Sequence, residues 1–220
     1  MYKVELNPGY IKIASEIFKG CANDRYIVLG SAATLSFTAK IGYSRKINDL
    51  DIISDSSLVD AMKQKLIKKG FLQSTFINKR MPFFQKLIKH GESTYLRFSK
   101  DDINVEILST KFIKKDFNLI FDLYPQFWVK IPVNSLIQTK FGNAKFTTLD
   151  IDLLWAIKQL LNNTLGKVMS YKRKQRVEDL SNLKKLVTME KAKELLSQSR
   201  FGYKSLSFKV PTFLLTGFYF

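Results

Sequence analysis

With one cysteine and one histidine in 220 residues, the chain lacks the side chains for several kinds of chemistry. Cys21 has no internal partner, so a disulfide framework is excluded, in keeping with a reducing, intracellular setting. Zinc sites built on Cys and His, and Cys/His nucleophilic pairs, are excluded too. His90 stands beside Gly91 in an expected hairpin and reads as a surface residue. No G-x-x-x-x-G-K-[ST] stretch occurs, which excludes a P-loop enzyme. No run approaches the roughly 18 apolar residues of a membrane helix, and MYKVELNPGY carries no apolar signal-peptide segment. The expectation is a cytoplasmic protein with no membrane partner. The most apolar stretch, VPTFLLTGFYF at 210–220, is too short to span a bilayer and is expected to pack as a final strand, cover an apolar patch or bind a partner.

Acidic residues are also scarce: 19 Asp and Glu face 36 Lys and Arg, a net charge of +17. Such an excess is the electrostatic footprint of a polyanion partner, nucleic acid first, or a compositional bias toward Lys, Ile and Asn. The chain is 45% hydrophobic, enough for a packed core in one large domain or two small ones.

Apolar periodicity and turn residues place helices over Tyr10–Gly20 and Ser31–Ile41, and one from Ser56 or Ser57 as cap to Lys69–Gly70. Strands are expected at Tyr26–Leu29, Leu50–Ile53, Phe71–Ile77, Phe84–Lys89, Thr94–Phe98, Ile103–Leu108 and Phe127–Val133. Thr147 and Asp150 have the spacing of a capping box, ahead of helices over Leu149–Asn162, Lys174–Val187 and Glu190–Ser197. The chain thus reads as an α/β half, 1–132, followed by a mainly helical half, 133–220.

Against this background the segment LGSAATLSFTAKIGYSRKINDLDII, 29–53, carries its acids in an unusual place. Alternation puts Asp49 and Asp51 on one strand face, about 6.6 Å apart, with Leu50 and Ile52 on the other. In DINVEIL, 102–108, Glu106 stands between Val105 and Ile107 in the same way. Adjacent strands would gather three carboxylates, the oxygen ligands that Mg²⁺ (or Mn²⁺) prefers and that two-metal phosphoryl transfer requires. The alternative is a set of ordinary exposed strand carboxylates. Gly30–Ser31 sits where an apolar strand turns into a helix. Glycine allows close backbone approach to a phosphate, and the helix N-terminus supplies N–H groups.

These residues together, hydrophobic-Gly-Ser, a helix, D-h-D and a later strand carboxylate, resemble the nucleotidyltransferase superfamily of the polymerase-β kind. Arg45, four residues before Asp49, and the helix carrying Ala33-Thr34-Leu35 make the chain similar to the AbiEii-type nucleotidyltransferase toxins. The gap from Gly30–Ser31 to Asp49 is about four residues longer than in that family, close to one helical turn of 3.6, and Ile47 stands where the family often has Ser or Thr.

In the helix after Asp150, Lys158 falls within the apolar stripe of Ile151, Leu154, Trp155 and Leu161. It is either a snorkelling lysine or one aimed at phosphate in a cleft. In YKRKQRVEDLSNL, 171–183, Val177, Leu180, Leu183 and Val187 form the expected core stripe, with Lys172, Arg176 and Asp179 along its flank. The AbiEii-type resemblance matches Lys158 and Asp179 to residues of that family and sets Asn182 where it has a second acid. The run Lys172, Arg173, Lys174 and Arg176 reads as a nucleic-acid contact or as a solvated helix face.

The resemblance implies an α+β fold: a nucleotidyltransferase-like mixed sheet with flanking helices, then a mainly helical C-terminal domain. It implies transfer of NMP from an NTP to an acceptor hydroxyl. Asp49, Asp51 and Glu106 would be catalytic and metal-binding. Gly30, Ser31, Arg45, Lys158 and Asp179 would bind nucleotide. It further implies an RNA acceptor, such as a tRNA 3′ end, and a toxin paired with a cognate antitoxin. Same-fold enzymes acting on a small molecule or a protein, and a catalytically silent nucleic-acid-binding module, are the rival expectations.

Overall fold

The computed structural model describes residues 8–47, 49–74, 94–124, 127–165 and 173–203. Expectations for the strand at 84–89, for His90, for Lys172 and for the apolar tail at 210–220 lie outside the described residues.

The chain is a mixed α+β fold. Its main sheet has five strands in the order β1-β2-β5-β4-β3: β1 (Tyr26–Val28), β2 (Leu50–Asp55), β3 (Leu72–Ser74), β4 (Thr94–Lys100) and β5 (Ile103–Thr110). β2 and β5 run parallel with Asp51 opposite Glu106, and the remaining pairs are antiparallel. Strand alternation sorts the side chains. Leu50, Ile52, Val105, Ile107 and Phe98 enter a core under α1 (Pro8–Phe18) and α3 (Ser56–Lys68). Ile53 and Leu108 enter a second core on the opposite face, shared with the C-terminal helices. Asp51 and Glu106 have that second parity, so they stand where the second face opens. Leu50 and Ile52 are anchored at 1% and 2% exposure, so a one-residue slip would bury the acids and expose the core.

Helix α2 (Gly30–Thr38) is buried on all sides from Ser31 onward because it lies between both cores: Ala32 and Leu35 face one, Ala33 and Phe37 the other. Its buried hydroxyls bond back to the helix, Thr34 to the Gly30 carbonyl at 2.9 Å and Thr38 to that of Thr34 at 3.0 Å. A 3₁₀ turn at Ala39–Ile41 and left-handed Gly42 (φ 80°) end it. This turn takes up part of the long spacing between Gly30–Ser31 and the acids.

A second sheet has the order β11-β8-β7-β6, from β6 (Ile113–Lys115), β7 (Asn118–Tyr124), β8 (Phe127–Pro132) and β11 (Arg200–Tyr203). β9 (Leu136–Phe141) and β10 (Ala144–Leu149) form a hairpin whose Phe141, Ala144 and Phe146 fill the first core. Helices α4 (Ile151–Leu165), α5 (Arg173–Lys184) and α6 (Met189–Gln198) cover the second. Strand β11 thus returns from the C-terminal half to pair with β8, across residue 132.

Three local expectations are corrected. Asp55, rather than Ser56 or Ser57, caps α3, accepting from the Ser57 N–H at 2.9 Å, and it also bonds Arg25 and the Phe112 N–H. Thr147 belongs to β10, and Asp150 caps α4 by accepting from the Asp152 N–H at 3.0 Å. Val177 is 50% exposed instead of core. Buried Asp179 turns the inward face of α5 toward itself, Leu180 and Leu183, leaving Val177 about 110° from its centre.

A candidate metal and phosphate site

Carboxylate oxygens of Asp49, Asp51 and Glu106 all lie within 4.8 Å of one another. Parallel pairing of β2 and β5 sets Asp51 beside Glu106, and Asp49 enters from the residue ahead of β2. Two full charges 4.8 Å apart repel by about 3.5 kcal/mol at an effective dielectric near 20. A hard divalent cation with oxygen ligands relieves that repulsion, and this donor set suits Mg²⁺ or Mn²⁺.

Gly30 shows how tightly the two ends of segment 29–53 meet. Its φ is +64°, and a Cβ there would lie 1.8 Å from Asp51 Oδ2 and 2.8 Å from Asp51 Cγ. The Leu29 N–H donates to the Asp51 carbonyl at 2.9 Å. Only glycine leaves room for the aspartate, so the Gly-Ser turn and the D-x-D strand lie against each other despite the longer spacing. Leu29 supplies no side-chain cap to α2, and an α-helix cannot satisfy its own first N–H groups. The turn beside the carboxylates therefore presents donors suited to a phosphate.

Arg45 crosses to this turn and to the C-terminal half. Its Nη2 donates to Ser31 Oγ at 2.9 Å and to Asp179 Oδ2 at 2.7 Å, and its Nε donates to Asp179 Oδ1 at 2.8 Å. This bidentate fork is the strong form of an ion pair. Tyr43 donates to the same Oδ1 at 3.1 Å, and Lys158 Nζ stands 3.7 Å from Oδ2. Asp179, 3% exposed, is thus the hub of a Ser31–Arg45–Asp179–Lys158 cluster. Lys158 is mostly buried and directed toward Asp179, within electrostatic reach of Asp51, instead of snorkelling outward. Burial lowers its pKa; the Asp179 carboxylate opposes that and the Arg45 charge adds to it. For Arg45, burial works against the charge, but the bonds and attraction to Asp179 raise its pKa overall. Burial and then Asp179 push the Tyr43 hydroxyl up to about 12.

Three further residues join the site. In β4, Arg97 lies directly opposite Glu106, with Nε 3.8 Å from its carboxylate. Tyr95, two residues away on the same face, hydrogen-bonds to Glu106; burial and then that carboxylate raise its pKa. Alternation in TYLRFSK, with Leu96 and Phe98 on the opposite face, contained this signal. Tyr43 had none, since its partner lies 136 positions away. Lys174 is exposed on α5 and Arg176 half-buried. Ile47, 2% exposed, packs in the first core.

No protein-family model matches the chain, and no curated protein does. A crystal structure described as "a putative nucleotidyltransferase" from Thermotoga maritima is similar to it at 18% identity and a TM-score of 0.37, over 84% of this chain and 96% of that one. At that level of likeness, functional assignment rests on the site's own chemistry.

Proposed function

We propose that the chain is a metal-dependent nucleotidyltransferase. The observation that carries this reading is the fit of Gly30 against Asp51. It sets a phosphate-ready helix N-terminus, with Ser31 and Arg45, beside three carboxylates that suit a divalent ion. Bound metal would neutralise the triphosphate and lower the barrier to deprotonating the acceptor.

The chain's own groups then divide the work. Gly30, Ser31, Arg45 and Lys158 hold the β- and γ-phosphates and orient the α-phosphorus for in-line attack. The acceptor oxygen bonds to the α-phosphorus as the bond to the β-phosphate bridging oxygen breaks. Pyrophosphate leaves, and the acceptor proton passes to Glu106 or to water. Tyr95 and Arg97 hold the Glu106 carboxylate for this role, and Asp179 aims Arg45 and Lys158. The +17 charge supports RNA as the acceptor. The narrower reading, a tRNA 3′ end modified by a toxin with a cognate antitoxin, rests on the AbiEii-type resemblance alone. The α5 cations Lys174 and Arg176, and with them in the sequence run Lys172 and Arg173, are assigned to that RNA.

The test pairs a transfer assay with a metal readout. Protein, Mn²⁺, each labelled NTP and total RNA are incubated, with Asp49→Ala/Asp51→Ala as the comparison. Label should enter RNA with the wild type and fall at least 100-fold with the variant. Saturating Mn²⁺, at about 100 times Kd, should stabilise the wild type by about 2.7 kcal/mol and leave the variant unchanged. Equal labelling by both proteins would sink the assignment.

A further inference from the structure

The open face of the second sheet combines three features that neither the core nor the carboxylate site uses. The first is Phe117. β6 and β7 are joined by the two residues Asp116 and Phe117, with Lys115 paired to Asn118. Their φ values are +49° and +60°, the hairpin geometry that favours Asn-Gly. A bulky aromatic in the left-handed region is strained, yet this one is 96% exposed and buries nothing in return. It is held there: the Val133 N–H donates to the Phe117 carbonyl at 2.9 Å, and Asn118 Nδ2 to that of Asp116 at 2.6 Å.

The second feature is a row of positive charge. Leu119, Phe121, Val129, Ile131 and Phe201 point into the core, so their neighbours Lys130 and Arg200 take the other face. Those two residues are direct cross-strand partners, an arrangement of like charges that destabilises a sheet. Neither forms an ion pair among the described residues. The third feature is Trp128, half-buried, whose indole lies over Gly202 so closely that a Cβ there would be 2.4 Å from Nε1. An open groove of about 830 Å³ runs along this face, lined by Phe117, Asn118, Lys130, Asn134 and Arg200 among others. No residue of the carboxylate site lines it.

We infer that this face binds single-stranded nucleic acid, with bases stacking on Phe117 and Trp128 and phosphates meeting Lys130 and Arg200. Exposed aromatic rings interleaved with cations are the chemistry that grips unpaired bases and their backbone together. An acidic peptide would use the cations but has no need of a strained, fully exposed phenyl ring. Binding here depends on neither metal nor NTP, so it stands or falls separately from nucleotidyl transfer.

The test is fluorescence anisotropy of the full chain with labelled A12 oligonucleotides, as RNA and as DNA, without metal or NTP. The two arms distinguish the natural source. Phe117→Ala should weaken binding about 5- to 150-fold, the range for loss of one stacked base. Phe117→Gly should weaken it equally while raising Tm by about 2 °C, because the strain is relieved. Lys130→Ala/Arg200→Ala should weaken binding and reduce the slope of log K against log salt by about 1.4. A Phe117→Gly protein that binds as tightly as wild type would overturn the inference. So would equal competition by an A12·U12 duplex, or an equal loss from Lys68→Ala on α3.

Discussion

Gly30→Ala tests the joint between the phosphate turn and the carboxylates. The added methyl meets two penalties. At φ +64° an L-residue costs about 1–2 kcal/mol. The Cβ also lands 1.8 Å from Asp51 Oδ2 and 3.2 Å from Asp51 Cβ, so the Asp51 side chain must rotate out or the backbone must shift. Overpacking of this kind costs about 1–3 kcal/mol. Alanine recovers only about 0.4–1 kcal/mol by restricting the unfolded chain. The sum is a destabilisation of about 2–4 kcal/mol, or roughly 4–16 °C in Tm for a chain of this size. In an Asp51→Ala background the carboxylate is gone and the nearest remaining atom is at 3.2 Å, so the strain less the unfolded-chain gain should leave a cost of only about 0–1.6 kcal/mol. Urea denaturation of the four proteins in a double-mutant cycle measures the difference, which is the overpacking alone and is expected at about 1–3 kcal/mol. A coupling within 0.5 kcal/mol of zero would refute the claim that Gly30 exists to seat Asp51.

Asp179→Asn leaves Arg45 and Lys158 together without their shared carboxylate; breaking such a buried pair costs about 3–5 kcal/mol, and added tripolyphosphate should restore part of the lost Tm. If Tm does not move, Asp179 is not the hub. For Tyr43 the hydroxyl pKa is about 12 in the folded chain and 10.0 unfolded. The unfolded chain therefore loses its proton first, and stability conferred by the hydroxyl is complete below about pH 10 and lost as pH rises through about 12. The stability difference between wild type and Tyr43→Phe should shrink when measured at pH 9, 10 and 11; a constant difference would refute the Asp179 contact.

The local sequence determined which faces the decisive side chains occupy. Asp49–Leu50–Asp51 and Val105–Glu106–Ile107 could place their apolar residues inward only by turning the acids the other way, because the strand period is two. The helix starting at Gly30–Ser31 was legible for a similarly local reason: a glycine and a hydroxyl between an apolar strand and an apolar helix. The same alternation in TYLRFSK carried Tyr95 and Arg97, although nothing local identified Glu106 as their neighbour. Two hairpins, β6–β7 and β9–β10, carry no local signal. The Asp116–Phe117 turn has no glycine at its left-handed positions, and β9–β10 resembles the approach to a helix because Thr147 imitates a cap three residues ahead of Asp150, which is the cap.

Tertiary structure alone decided what those faces meet. The register of β2 on β5 brings Asp51 to Glu106, 55 positions later. The Arg45–Asp179 fork spans 134 positions, and it turned α5 so that a carboxylate is buried and Val177 exposed. Periodicity along a helix specifies that one side is buried; which polar residue interrupts that side depends on a charge arriving from elsewhere in the chain. The fit of Gly30 against Asp51 belongs to the same class, since a glycine's missing Cβ gains meaning only from the atom that would have collided with it.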